Sequence, residues 1–477
     1  MPRQRFAIML TVLLAAFAAT AACSCGDDDD DDGNGVASPN PDDDIDDDAI
    51  DDDADDDAFE PRFFAGAARV DTSPPSDWPL MMGGYGLNFI SQSFARWSTG
   101  VHDPIYATAL ALQNTGEEPV ILIHLDLVGM ITTDIVRVQA GVADALDILP
   151  ERIVLASSHT HHSPDSVGIW GVLLPPVSGR DEAYMDLIVE RAIEAGIAAY
   201  DSLRPARLFV ATGSEPAMHY NSNEVPILNP STLIDDAMTF LVARDADGAP
   251  IATLMNWGCH PMVMGPQNTE ISSDFLGPYY RLMDEEIGGV NMFVNGPLGA
   301  SIHPINPYDP FDYTGRDWGT WEDVENFGRV LADDAQALAA GAVPVRDTAI
   351  DLFSGVFESR NDNLFFALAG ALELIPRDIP NWGDVGETTL TTFTLGPDIR
   401  FATAPGELVP DLGLAMRAII GGRHQFIINL GMDWVGYIMT PQQYRNVVYI
   451  YNDLLSPGPN AGVDLIAAYE QIYGVDE

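Results

Sequence analysis

Apolar residues fall in short runs along the chain, and their spacing divides it into predicted strands and helices. "VILIHLDLVGM" (120–130), "RIVLASS" (152–158), "RLFVATG" (207–213), "MTFLVAR" (238–244), "IATLMNW" (251–257) and "VNMFVNG" (290–296) look like buried strands. Two longer stretches, 132–149 and 181–203, repeat apolar residues three and four positions apart and predict helices. Strands alternating with helices imply a mixed α/β (α+β) core with functional motifs at strand ends. Residues 61–477 contain no linker-like composition and no internal repeat, so they are read as one large domain of central sheets and flanking helices. The Gly/Pro-rich stretch 296–318 predicts a long loop, and loops of that length commonly carry function.

The first 60 residues break this pattern. Arg3 and Arg5 precede an apolar stretch from Phe6 to Ala22, the composition of a signal peptide over residues 1–22. "TAAC" resembles a bacterial lipobox and predicts Cys23 as a lipid anchor, which would make the protein an exported cell-envelope lipoprotein or surface protein. Residues 23–60 are dominated by aspartate, with 19 acidic residues between Asp27 and Glu60, and read as a disordered spacer. Their repetitive pattern suits a solvated spacer better than a shaped calcium site. With that spacer and the two signal arginines set aside, −33 of the formal charge of −50 remains on residues 61–477. So acidic a domain argues against a nucleic-acid partner. The chain contains no lysine, which excludes Schiff-base and lysine general-base chemistry. Of three cysteines, two lie at the N-terminal end and Cys259 has no evident structural partner, so no disulfide framework is expected.

Nine histidines serve 477 residues, and three of them fall in "SSHTHHSPD" (157–165), directly after a predicted strand. If the strand continued, His159 and His161 would share a side and His162 would point away. An H-x-H pair in this setting offers two metal ligands, or one ligand and one acid or base; the bland alternative is a surface cluster. "NWGCHPM" ends another strand with Cys259 and His260, which face opposite sides, so only one of them can readily face a site. Asp126, after an apolar run, is a candidate to orient a ligand imidazole through its second nitrogen. Taken alone, Glu407 in "ATAPGEL" and Tyr437 in "MDWVGYIMTPQQY" read as a turn residue and a packing residue.

Together these segments carry a resemblance. "AGAARVDTSPP", "MMGGYG", "GVHDPIYATALAL", "SSHTHHSPD", "NWGCHPMVMGPQNTEISSDFLGPYYRLMDEE", "FVNGPLGASIHP", "APGEL" and "GYIMTPQQY" follow one another as in the neutral/alkaline non-lysosomal ceramidases. The likeness covers about residues 65–455 and corresponds to the catalytic domain of that family, without the immunoglobulin-like domain that follows it in full-length members.

The resemblance implies a zinc-dependent hydrolase that cleaves the amide of an N-acyl lipid such as ceramide, with Zn²⁺ as cofactor. It implies zinc ligands at His159, His260, Glu407 and Tyr437, with His161 as their catalytic neighbour. His102, in "GVHDP", becomes a possible pocket residue. The sequence departs from the family in two places: the S-G-P after H-T-H is here His162-Ser163-Pro164, and where ceramidases carry G-D-V-S-P this chain has "GPLGASIHP", with Ala300 for the aspartate, Ser301 as the candidate catalytic serine if the register slips by one (Ile302 stands in its place otherwise) and His303 as an additional candidate. That departure keeps two alternatives open, a metallohydrolase of other esters or amides and a non-catalytic surface binding protein of the same fold. His219 and His424 read as structural.

Overall fold

The computed structural model describes residues 62–86, 95–172, 175–224, 229, 232–300, 302–304 and 319–475. The predicted signal peptide, Cys23, the acidic spacer and Ser301 lie outside the described residues. Among the described residues no helix is long and apolar enough to cross a membrane.

Three large sheets, with three two-stranded ones, build the domain among the described residues. The first contains β1 (Phe63–Asp71), β2 (Tyr106–Asn114), β3 (Val120–Leu125) and β4 (Ile153–Ser157), in the order β4-β3-β2-β1, with the two-residue strand Arg204–Pro205 at the far edge. The second contains β5 (Arg207–Ser214), β6 (Ala237–Arg244), β7 (Pro250–Trp257) and β8 (Val290–Asn295), in the order β8-β7-β6-β5, edged by Val343–Pro344. The third runs β9 (Leu352–Arg360), β10 (Val385–Leu395), β11 (Ile399–Ala404) and β12 (His424–Asn429) in sequence order. The predicted strands therefore formed, and β3 is fully buried along its length, as a continuous apolar run requires. The strand predicted over 120–130 ends at Leu125: the Asp126 N–H still donates to the Tyr106 carbonyl, but the Tyr106 N–H donates to the Asp126 carboxylate, which also accepts from the Tyr280 hydroxyl.

Helices α1 (Thr132–Leu146) and α2 (Glu182–Asp201) occupy the two predicted helical stretches. Asp181 caps α2 by accepting from the Tyr184 N–H, and Ile188, Ala192, Ala195 and Ala199 line its buried face at helical spacing. The three alanines let α2 lie close against the first sheet, where a Cβ on Gly66 would already collide with the Ala199 carbonyl.

Each large sheet contains one parallel pair: β3 with β4, β7 with β8, and β11 with β12. Parallel neighbours present their carboxyl ends together, and it is there that loops can gather a site. One apolar core touches all three sheets, from Leu110 and Val154 through Leu254 and Met292 to Phe401 and Phe426. Phe393, Phe401 and Phe426 stack face to face across the third sheet, with centroids 4.1 and 4.5 Å apart. Buried asparagines join the sheets where apolar packing cannot: Asn256 of β7 donates to the Ile427 carbonyl and accepts from the Ile427 N–H of β12 (3.0 and 3.1 Å).

Candidate metal centre and active site

The chain leaves β4 at Ser157 and turns sharply. His159 has a positive φ of 64°, a costly conformation for a residue with a side chain, and such strain is kept where surrounding contacts enforce it. Its N–H donates to Leu127 O (2.9 Å) and its Nδ1 meets Val128 O at 2.5 Å, both carbonyls lying just beyond β3. The ring is thereby fixed with Nε2 pointing inward. His260, three residues past β7, is held in the same manner. Its N–H and Nδ1 both reach Ile302 O, at 3.1 and 2.8 Å.

Glu407 arrives from the third sheet, three residues past β11. Its Oε2 lies 3.4 Å from His159 Nε2 and 3.5 Å from His260 Nε2, and all three side chains are buried. This oxygen has no hydrogen-bond partner. Burial alone would raise the Glu407 carboxyl, but the facing imidazoles of His159 and His260 outweigh it and hold the carboxyl well below its ordinary range. Burial pushes the His260 ring the other way, toward neutrality, with Glu407 opposing. An ionised carboxylate thus faces two imidazole nitrogens at distances too long for good hydrogen bonds.

His161 completes the cluster. Donor atoms of His159, His161 and His260 lie within 4.8 Å of one another, and the His161 ring stands edge-on to the other two at 4.8 and 5.3 Å. Neither ring nitrogen of His161 has a hydrogen-bond partner. Burial, reinforced by His159, His260 and His162, drives this imidazole well below its ordinary pKa, so it is neutral. Unpartnered buried polar atoms converging from three sheets are what a cation of nitrogen and oxygen ligands requires. The donor set fits zinc: imidazoles and a carboxylate, with no thiolate, since Cys259 faces away into the core.

Tyr437 pairs in register with Glu407 in a short parallel bridge, so the two side chains leave the same face of that bridge. Tyr437 is buried. His303 also lies near, its ring 5.8 Å from that of His260 and half-buried.

One expectation needs correction. Asp126 does not orient a ligand imidazole; the Nδ1 atoms of His159 and His260 use the Val128 and Ile302 carbonyls, which the backbone supplies without burying another charge. His102 stacks on Trp321 at 3.6 Å and sits 3.9 Å from Asp103 and 4.0 Å from Glu270, so it belongs to a half-exposed aromatic and acidic contact outside the imidazole cluster. The strand ends before His162, whose ring meets Asn268 at 3.1 Å and Asp274 at 3.4 Å. His219 is structural, donating through Nδ1 to the Gly258 carbonyl (2.8 Å) and stacking on Trp257. His424 binds Thr212 and plays no part in the cluster.

Several supporting residues carried no recognisable signal. Arg96 donates to the carbonyls of Gly83, Asn268 and His161 and lies over the Tyr85 ring at 4.7 Å, pinning the loop that bears His161. Tyr85 stands edge-on to His161 at 4.7 Å. Gly84, with φ of 103°, passes so close that a Cβ would lie 2.5 Å from His161 Cγ. The "MMGGYG" glycines are the one local hint of this close approach.

Residues 63–306, just over half the chain, match the family described as "Neutral/alkaline non-lysosomal ceramidase, N-terminal". The chain belongs to the neutral/alkaline non-lysosomal ceramidase family. Among its relatives, neutral ceramidase B of Dictyostelium discoideum is 25% identical over 165 residues, which is 33% of this chain and 23% of that protein. Neutral ceramidase of Oryza sativa subsp. japonica is 22% identical over 200 residues, 39% of this chain and 25% of that protein. The matched segment thus spans about a quarter of these curated relatives. The fold resembles the crystal structure of neutral ceramidase from Pseudomonas aeruginosa, with a TM-score of 0.70 at 18% identity over 87% of this chain and 74% of that one. Covering 87% of this chain, the likeness in fold extends beyond residues 63–306.

Proposed function

We propose that this ceramidase-family domain is a zinc-dependent amidohydrolase that cleaves an N-acyl lipid such as ceramide into a sphingoid base and a fatty acid. The observation that carries the reading is the buried, unpartnered Glu407 Oε2 set between His159 Nε2 and His260 Nε2, with His161 beside them. His159, His260 and Glu407 would hold the metal, with Tyr437 as a fourth ligand from the same strand bridge as Glu407. Zinc bound there supplies a Lewis acid for the amide carbonyl and lowers the pKa of water.

The protein's own groups account for the rest. His161, neutral and with both nitrogens unengaged, can take a proton from water and return it to the departing amine, so that water adds across the C–N bond and both products leave protonated correctly. Arg96 and Gly84 keep that imidazole against the ligand rings. Burial excludes bulk water from the imidazoles and strengthens each of these interactions. Ser301, the serine nearest to the family's in sequence, is proposed to stand in for it and contact the substrate.

The altered loop supports a second reading, hydrolysis of other esters or amides, because His303 stands next to His260 in a segment that lacks the family's aspartate. Metal analysis of the purified protein combined with turnover of a fluorescent ceramide and of short-chain esters and amides tests both. One zinc per chain with ceramide cleavage supports the first; one zinc with turnover of the short substrates alone supports the second. No bound metal refutes both, as would zinc bound without any hydrolysis, which leaves a binding protein.

We also propose that residues 61–477 act outside the cell, tethered through Cys23 and the acidic spacer. Cys23→Ala should release the protein from the membrane fraction; unchanged partitioning into detergent would reject the tether.

A further inference from the structure

His159 and His260 belong to different sheets, and neither strand by itself sets the distance between them. Asn295, the last residue of β8, reaches both loops. It is fully buried. Its Nδ2 donates to the Ser158 carbonyl, and its Oδ1 accepts from the Cys259 N–H at 3.1 Å. Ser158 immediately precedes His159, and Cys259 immediately precedes His260. One primary amide therefore clamps the peptide units that lead into both imidazoles. Beyond the imidazoles, the His161 N–H donates to the Pro261 carbonyl (3.1 Å), so the two loops are tied on both sides of the cluster.

We propose that Asn295 is a positioning residue that sets the spacing of His159 and His260 for the metal, an inference that rests on the metal-site reading above. The chemistry explains the residue type. A carbonyl on one side and an N–H on the other demand a donor and an acceptor on one short, planar side chain, and the two partners leave no choice in which way the amide faces. Ionised aspartate has no donor, and a hydroxyl cannot span the two peptide units. The carbonyl contacts at Nδ1 fix how each imidazole turns on its own loop. Asn295 fixes how far apart the two loops stand.

A second asparagine provides the control. Asn256 is equally buried, donates to Val294 O and Ile427 O at 3.0 Å each, and accepts from the Ile427 N–H, yet it touches neither loop that carries a ligand. Zinc affinity of the purified full chain is measured by competition with a chromogenic chelator, alongside the visible spectrum of the cobalt-loaded protein and the melting temperature. Asn295→Ala is expected to lower zinc affinity about 10- to 100-fold, the range found when outer-shell partners of metal ligands are removed, and to shift the cobalt bands. Asn256→Ala is expected to lower the melting temperature by a similar amount while its zinc affinity and cobalt spectrum match the wild type.

If Asn295→Ala does not fold, Asn295→Asp keeps the acceptor for Cys259 and loses only the donor, and the same loss of affinity is expected. Wild-type affinity and cobalt bands in the Asn295 variants would overturn the inference, and so would an equal loss in Asn256→Ala. A wild-type protein that binds neither metal overturns the metal reading and the positioning role together, whereas binding that is insensitive to Asn295 overturns the positioning role alone.

Discussion

The nine residues Ser157–Asp165 serve two buried polar clusters of opposite character. At one end, His159 and His161 join His260, with Glu407 against His159 and His260, and His161 Nδ1 and Nε2 and Glu407 Oε2 lack hydrogen-bond partners. At the other end, Asp165 Oδ1 accepts from Val167 N and Gly168 N at 3.0 and 2.7 Å, while Oδ2 accepts from Trp170 N at 2.9 Å. His162 is likewise engaged, by Asn268 and Asp274. Both clusters are equally removed from water. A satisfied cluster needs nothing further and holds the loop in shape, whereas an unsatisfied one costs free energy until something binds it. The difference separates scaffold from chemistry within a single motif.

Substitutions at the two ends should therefore fail in different ways. The largest effect is expected at the unsatisfied end: His159→Ala, His260→Ala or Glu407→Ala should each abolish stoichiometric zinc and reduce hydrolysis by more than the roughly 100-fold that outer-shell changes cost. Elemental analysis and turnover read this directly, and full zinc occupancy in any of the three would break the comparison.

Next comes the satisfied end. Asp165→Ala leaves three buried N–H groups without an acceptor and should destabilise the fold by about 3–5 kcal/mol in denaturant unfolding, with zinc stoichiometry of the folded fraction unchanged. Zinc lost before stability would show that the two clusters are not separable.

A smaller effect is expected from pH. Burial pushes the Asp165 carboxyl up to about 6, against the backbone N–H bonds that favour its charge. Its folded pKa lies above the unfolded value of about 3.9, so the folded state binds the proton more tightly. The associated stability is complete below about pH 4 and is lost as pH rises through about 6, amounting to roughly 2–3 kcal/mol. Asp165→Asn should flatten this part of the stability profile between pH 4 and 7; an unchanged slope would assign it to other groups.

The smallest change sharpens the boundary between the clusters. Tyr85 touches both, its ring against His161 and its hydroxyl 3.4 Å from His162 Nε2 and 3.3 Å from Met262 O. Tyr85→Phe keeps the ring and should cost about 1 kcal/mol or less, with zinc affinity unaltered. A drop in affinity would mean that the hydroxyl, too, positions the cluster.

Much of the framework could be read from local pattern. The six apolar runs became β3 to β8 within a few residues of their expected ends, and both periodic stretches became α1 and α2. The third sheet was not recognised, since strands such as Leu352–Arg360 mix exposed, polar and apolar positions without a clean alternation. The supporting residues were equally hidden. A polar residue after a strand ordinarily marks a turn, and nothing in "FVNGP" or "FARWS" distinguishes Asn295 or Arg96 from solvent-facing neighbours. The error over Asp126 has the same origin, because a carboxylate near a ligand strand is a reasonable orienter until the carbonyls of Val128 and Ile302 are seen to have taken that place.

By itself, the sequence determined six strands of the first two sheets, two of the helices, the acidic lysine-free composition and the identity of the residues that could ligate a metal, because these depend on side-chain chemistry and short-range periodicity. Only the tertiary structure decided which of them meet. His159, His260 and Glu407 are separated by 101 and 147 positions, and no local pattern encodes the pairing of three sheets whose parallel strands end at one point. That convergence follows from a shared apolar core and from buried amides at the sheet junctions, where hydrogen bonds acquire their partners only when the whole domain has closed.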